Sequence, residues 1–248
     1  MPARLEPCEM VRVETARGPL LVPYEVRRSA RARRVRLCLG PRNQALLLVP
    51  ARASVKDALH FLRSQGDWLE RHLRMAPPPM SLERHLTRHP ILSGLGREFA
   101  VALNFTTARA FYVLGEAAGE AVFRFPAGEE AEPALAGLLR EFAEAVLPRR
   151  VEELAALAGL RVGRVAVRDQ GTRWGSCSAR RVVSLNWRLV LLPVALHDYV
   201  IWHELAHLTE MNHSENYWNL LRAYDPKADA HDRALTRAGR ALMRLGRE

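Results

Sequence analysis

Between Met10 and about Pro50 apolar and polar residues alternate in short runs, MVRVETA, PLLVPYEV, RRVRLCLG and QALLLVP, divided by Gly-Pro and Pro-Arg-Asn. A period of two marks half-buried strands and the dividers are turn formers, so this stretch predicts a hairpin or small sheet. The period then lengthens. Leu59, Leu62, Trp68, Leu69 and Leu73 recur at helical spacing behind Ser54, a capping residue with Asp57 three positions on, which predicts a helix over about 54–75 that stops before three prolines. MAPPPMSLERHLTRHP reads as a linker or surface loop, and GREFAVALN and EAVFRFP as a further pair of strands. From Pro133 to Leu160 the pattern is helical, interrupted or kinked at Pro148 and stopped by Gly159.

RVAVR (Arg164 to Arg168) and VVSLNWRLV (from Val182) alternate as strands, with RWGSCSAR across a turn between them. After Pro193 comes an apolar helix, VALHDYVIWHELAHLTEM, which breaks at Asn212-His213. Ser214 is placed to cap the next helix, SENYWNLLRAYD, and a helix rich in Ala, Leu and Arg ends the chain. The sum is an α+β fold in two parts: a β-rich lobe with one helix over residues 1–130, and a second lobe over 131–248 with a small sheet and the apolar helix.

That helix carries HELAH, His203 to His207. Two histidines four residues apart stand on one helical face, one turn apart, close enough to clamp a single ion. Glu204 is rotated off that face and suits a general base acting on a metal-activated water. Unpaired imidazoles and a carboxyl in so apolar a helix are costly, so they call for a metal or a polar network. A catalytic zinc ion takes three protein ligands and leaves one position open. His213 is the favoured third ligand, because the chain can fold back at Met211-Asn212 and Ser214 then fixes the turn; Glu210, Glu215 and His231 remain alternatives. Tyr217, Arg173 and Asn186 are candidates for transition-state or substrate contacts, on sequence proximity to these elements.

Composition adds charge. The 248 residues carry a formal net charge of +10, and of 37 basic residues only Lys56 and Lys227 are lysine. Acidic partners therefore enter the picture, with the arginines at 27, 28, 31, 33, 34 and 36 as the densest cluster. Alternation along a strand would put them on one solvated face, and no aromatic residues interleave as stacking platforms, so nucleic acid is a possible but not a favoured partner. Three widely spaced cysteines, Cys8, Cys38 and Cys177, make no disulfide framework and suit a reducing compartment. No segment approaches the length of a membrane span, so the expectation is a soluble cytoplasmic protein.

Four segments, TRWGSCS (Thr172 to Ser178), SLNWRL (Ser184 to Leu189), DYVIWHELAH (Asp198 to His207) and MNHSENYW (Met211 to Trp218), resemble in order and spacing the YgjP-like metallopeptidase family, itself similar to SprT-like zinc proteases. The resemblance implies a zincin-like catalytic lobe with one zinc per chain on His203, His207 and His213 and with Glu204 as base. It is dense from about Gly159 to Trp218 and thinner before; Trp202 stands where a smaller aliphatic residue is commoner, and little matches after Pro226. Within TRWGSCS, Gly175 permits a tight turn, Trp174 packs and Cys177 is a small buried residue. Alternatively the segment is an edge beside the metal, where an extended substrate pairs and Arg173 holds an acidic group. Three functions follow, with a peptidase acting on peptides or proteins first. The others are a metal-dependent hydrolase of nucleoside triphosphates, in which arginines neutralise a phosphorylated small molecule, and a non-enzymatic nucleic-acid-binding module. The sequence leaves oligomeric state open.

Overall fold

A computed structural model of the chain describes residues 9–40, 42–76 and 79–247. They form a mixed α+β protein that divides into two compact units, one of the described residues up to Met80 together with Arg247 and the other Ser81–Gly246.

In the first unit the alternating runs become β1 (Glu9–Thr15), β2 (Gly18–Ser29), β3 (Arg36–Leu39) and β4 (Ala45–Pro50). They pair in the order β1-β2-β4-β3, with β2 and β4 parallel and the other pairs antiparallel. Val11, Val13, Val22, Leu47 and Val49 share one face of this sheet and pack with Ala58, Leu62 and Leu69 into a core closed to solvent. Those last residues belong to α1 (Val55–Arg63), capped by the Ser54 hydroxyl accepting from the Asp57 amide, and α2 (Gly66–Met75). The single helix expected over 54–75 is therefore two. At the start of α2 a Cβ on Gly66 would sit 1.8 Å from the Glu14 carbonyl oxygen, so the backbone itself is laid against β1 there. The Asp67 carboxylate then accepts the Ala16 amide at 2.7 Å, holding α2 to the β1–β2 turn.

The second unit begins with a correction. SLERHLTR is a helix, α3 (Leu82–Arg88), capped by Ser81 and burying Leu82 and Leu86. β5 (Ile91–Gly94), β6 (Arg97–Phe105), β7 (Phe111–Gly115) and β8 (Glu120–Phe125) form a sheet in the order β5-β6-β8-β7. The two strands read from the sequence are β6 and β8, paired parallel; β5 and β7 flank them. Phe99 and Phe123 of this sheet meet Phe142 of α4 (Ala131–Leu157), which runs through Pro148 without stopping. It ends where Gly159, at φ +67°, lets the Leu160 amide reach the Ala155 carbonyl and the Gly159 amide reach Ala156. The sequence reading divides the chain between residues 130 and 131, whereas this unit starts at Ser81 because β5–β8 share their buried face with α4.

Three short strands complete the frame: β9 (Arg164–Arg168), β10 (Gly175–Cys177) and β11 (Val182–Asn186), with β11 in the centre, parallel to β9 and antiparallel to β10. Then come α5 (Val194–Ala206), α6 (Glu215–Tyr224) and α7 (Ala228–Leu242). Among the described residues no helix is long and apolar enough to cross a membrane.

Candidate metal centre

Leu196, Tyr199, Val200, Ile201, Leu205 and Ala206 bury α5 on nearly all sides, which fixes the position of whatever polar side chains it carries. The helix is shorter than its apolar pattern suggests. It ends at Ala206 with His207 as its C-cap, and the amides of Leu208, Thr209 and Glu210 close back on Leu205 and Ala206. The chain then turns so that His213 arrives just ahead of Ser214, whose hydroxyl accepts the Tyr217 amide to start α6.

These two helix ends bring three imidazoles together. One ligand nitrogen from each of His203, His207 and His213 lies within 4.8 Å of the others, and the Nε2 atoms of His203 and His213 are 3.3 Å apart. Two nitrogens at Zn–N distances of about 2.0–2.1 Å and a tetrahedral angle stand roughly 3.3 Å apart, so the spacing fits one shared ion. His207 Nδ1 lies 3.0 Å from the Glu210 carbonyl oxygen, which only accepts. That nitrogen therefore carries the proton and leaves Nε2 with its lone pair. Burial, then the charges of His207 and His213, pulls the His203 pKa down to about 4, and burial also lowers that of His207. Both rings are thus neutral near pH 7, the state a metal ligand needs.

Glu204 is 4% exposed, and burial pushes its carboxyl up to about 8 against the opposing charge of Arg173. Its neighbour is Gly175. A Cβ there would stand 2.5 Å from Glu204 Oε1 and 2.7 Å from its Cγ, so this glycine is required by close approach to the carboxyl and not by a turn, its φ not being positive. Sequence reasoning missed that contact; the only signal was a glycine inside a predicted edge beside the helix.

The other candidates separate clearly. Tyr217 is fully buried, its ring stacked on His207 at 4.6 Å and edge-on to His203 and His213, and its hydroxyl donates to the His203 carbonyl at 3.2 Å. With that hydroxyl committed, Tyr217 is placed as a prop for the three rings. Asn186 is also fully buried. Its Nδ2 donates to the carbonyls of Gln170 and Arg173, and its Oδ1 accepts from the Arg188 amide, so it ties down the segment that leads into β10. Arg173 is exposed, near enough for its charge to act on Glu204. His231 lies outside the cluster, paired to Asp225 at 2.6 Å; Glu215 is exposed, and Glu210 contributes its carbonyl. Two supports were not read from the sequence: Tyr199, which donates to Asp232 at 3.0 Å and sets its ring edge toward His203, and Tyr224, stacked at 5.1 Å on Trp202. The larger side chain at 202 thus has a packing partner.

The sequence matches the model of the YgjP-like metallopeptidase domain over residues 33–238. Two solved structures are similar to parts of it. The metallopeptidase zymogen of Pyrococcus abyssi abylysin is 24% identical, over 36% of this chain and 92% of that one, at a TM-score of 0.33. That of Methanocaldococcus jannaschii jannalysin is 22% identical, over 35% and 90%, at 0.32. No curated protein matches the chain.

Proposed function

The chain belongs to the YgjP-like metallopeptidase family, and from that premise we propose that it cleaves peptide bonds with one zinc ion held by His203, His207 and His213 and with Glu204 as general base. The observation that carries this reading is the convergence of three imidazoles, two of them held neutral by burial, beside a carboxyl almost closed to solvent. Zinc, when bound, supplies a Lewis acid that polarises the scissile carbonyl and makes a water acidic near neutral pH.

The rest is work for the chain's own residues. Glu204, almost closed to solvent in the turn of α5 that carries His203 and His207, would take a proton from the attacking water and hand it to the leaving amine. Gly175 lets the Glu204 carboxyl lie against the backbone of β10. β10 is an edge strand with β11 on one side, so an extended substrate can add along its other side, backbone to backbone. Arg173, exposed just before that edge, is set to hold an acidic group or the oxygen on which negative charge develops. Tyr217 and Asn186 act indirectly, the first through the rings and the second through the 170–174 segment.

The test pairs metal with turnover. Purified protein is expected to hold one zinc per chain by elemental analysis, with sharp loss in His203→Ala. Glu204→Gln is expected to keep the zinc and lose about 10²- to 10⁴-fold in hydrolysis of unstructured peptides. Substoichiometric zinc in metal-replete protein would sink the ligand assignment. Glu204-dependent hydrolysis of nucleoside triphosphates, with none of peptides, would overturn the substrate.

A further inference from the structure

The net charge is not spread evenly. Residues 1–80 hold 15 basic against 7 acidic side chains, a surplus of 8 within the whole chain's +10. Within them, residues 26–56 contain nine basic residues and no acidic one. Sheet topology gathers these cations. β2 runs parallel to β4 with Ser29 opposite Pro50, and β3 starts back at Arg36 opposite Leu48, so the β2–β3 connection and the β4–α1 connection emerge at the same end of the sheet. Arg31, Arg33, Arg34, Arg36 and Arg52 all lie there and all are exposed.

Some neighbouring arginines have internal work. Arg27 pairs with Glu25 at 2.5 Å, and Arg28 donates to the carbonyls of Ala51 and Ala53, drawing the β4–α1 connection onto the end of β2. The five exposed ones have no ion-pair partner among the described residues, and the carboxylates nearest in the chain are Glu25 and Asp57. Cations gathered without counter-charges repel one another, a cost that a bound polyanion offsets.

We propose that this end of the sheet docks the phosphate backbone of a nucleic-acid duplex. Guanidinium groups suit phosphate oxygens because they offer paired donors in one plane. Residues 26–56 include no Phe, Trp or Tyr, so the surface offers no platform for unstacked bases, and contact falls on the backbone. A lipid surface fits less well. The large exposed apolar residue of β2, Leu21, is six positions before Arg27, about 20 Å along the strand, so no large apolar side chain is exposed among the cations for insertion. The inference is independent of the peptidase reading, since it uses none of the site residues.

Binding of the full chain to a short labelled duplex, DNA or RNA, is followed by fluorescence anisotropy between about 50 and 200 mM salt. The expected plot of log K against log salt has a slope of about −4 to −5, for five phosphates engaged. Substituting glutamine at Arg31, Arg33 and Arg34 together should flatten that slope by about 3 and weaken binding roughly tenfold or more at the lower salt, while zinc content and peptide turnover stay as in the parent and the thermal midpoint does not fall. Three results would each overturn the proposal: no duplex binding at the lower salt, binding that ignores the triple substitution, or preference for phosphatidylserine vesicles or poly-glutamate over the duplex.

Discussion

Around α5 most buried polar groups have designated partners, His197 Nε2 excepted, whereas at the arginine-rich end of the first sheet Arg31, Arg33, Arg34, Arg36 and Arg52 have no ion-pair partner among the described residues. His207 has the Glu210 carbonyl, Tyr217 the His203 carbonyl, Tyr199 the Asp232 carboxylate and Asn186 five-fold use of one amide; Arg31, Arg33 and Arg34 stand in solvent. Burial makes the difference. A polar group taken out of water costs free energy unless its partners are built in, so each is specified by its surroundings and its loss is felt. An exposed charge is satisfied by water, and nothing inside the fold fixes its role. If this contrast is right, substitutions should grade from large effects at the first region to almost none at the second.

The largest effect is expected at the proposed ligands. His213→Ala should weaken zinc binding by more than the 10- to 100-fold that loss of a ligand's supporting partner costs, whereas His231→Ala, which removes a ring held by Asp225, should leave it unchanged. Chelator-competition titration reads both; the reverse order would move the third ligand to α7. Next comes Asn186→Ala, expected to lower unfolding free energy by about 2–3 kcal/mol by removing the hydrogen bonds of a fully buried amide and leaving a cavity. Denaturant melts measure it, and a loss under about 0.5 kcal/mol would break the claim that burial sets the scale.

His85 carries the same argument into pH. Burial, then the nearby charge of His89, lowers its pKa to about 4 from an ordinary 6.5. As pH falls, the unfolded chain takes up a proton at this position before the folded one does, so stability is full above pH 6.5 and is lost as pH drops toward 4. The contribution at stake is about 2 kcal/mol. His85→Leu should flatten the stability profile in that window; an unaltered slope would show that the ring is not held neutral. Smaller again is Tyr217→Phe, expected to cost about 1 kcal/mol of stability with kcat nearly kept. A 10²- to 10³-fold drop in kcat would instead make the hydroxyl a donor to the reacting oxygen.

The same division decides what the sequence made legible. HELAH announces a shared face for His203 and His207 because four residues is about one helical turn, and Asn212-His213-Ser214 announces a break and a new cap, so the ring cluster could be read locally. What could not be read depends on contacts between distant segments. The need for Gly66 follows from the backbone of Glu14, and the need for Gly175 follows from the carboxyl of Glu204. Neither contact leaves a periodicity. Ser81 did leave a cap signal ahead of α3, but the prolines before it outweighed the signal and the segment read as a loop. Nearness in sequence singles out Tyr217 and Asn186, and the fold turns both inward.

The smallest effect is the sharpest check on the contrast. Replacing Arg31, Arg33 and Arg34 with glutamine removes three charges that touch no partner in the fold, so stability should change by less than about 0.5 kcal/mol. The sign is informative as well. Residues 26–56 hold nine cations and no anion, and relieving their mutual repulsion should move the thermal midpoint up if it moves at all, most visibly at low ionic strength where screening is weakest. A clear loss of stability would mean that these arginines are structural after all, tied down as Arg28 is, and the distinction between the two regions would fail. A small gain would mean that this end of the sheet keeps its charge at a cost to folding, as expected of a surface retained for what it binds.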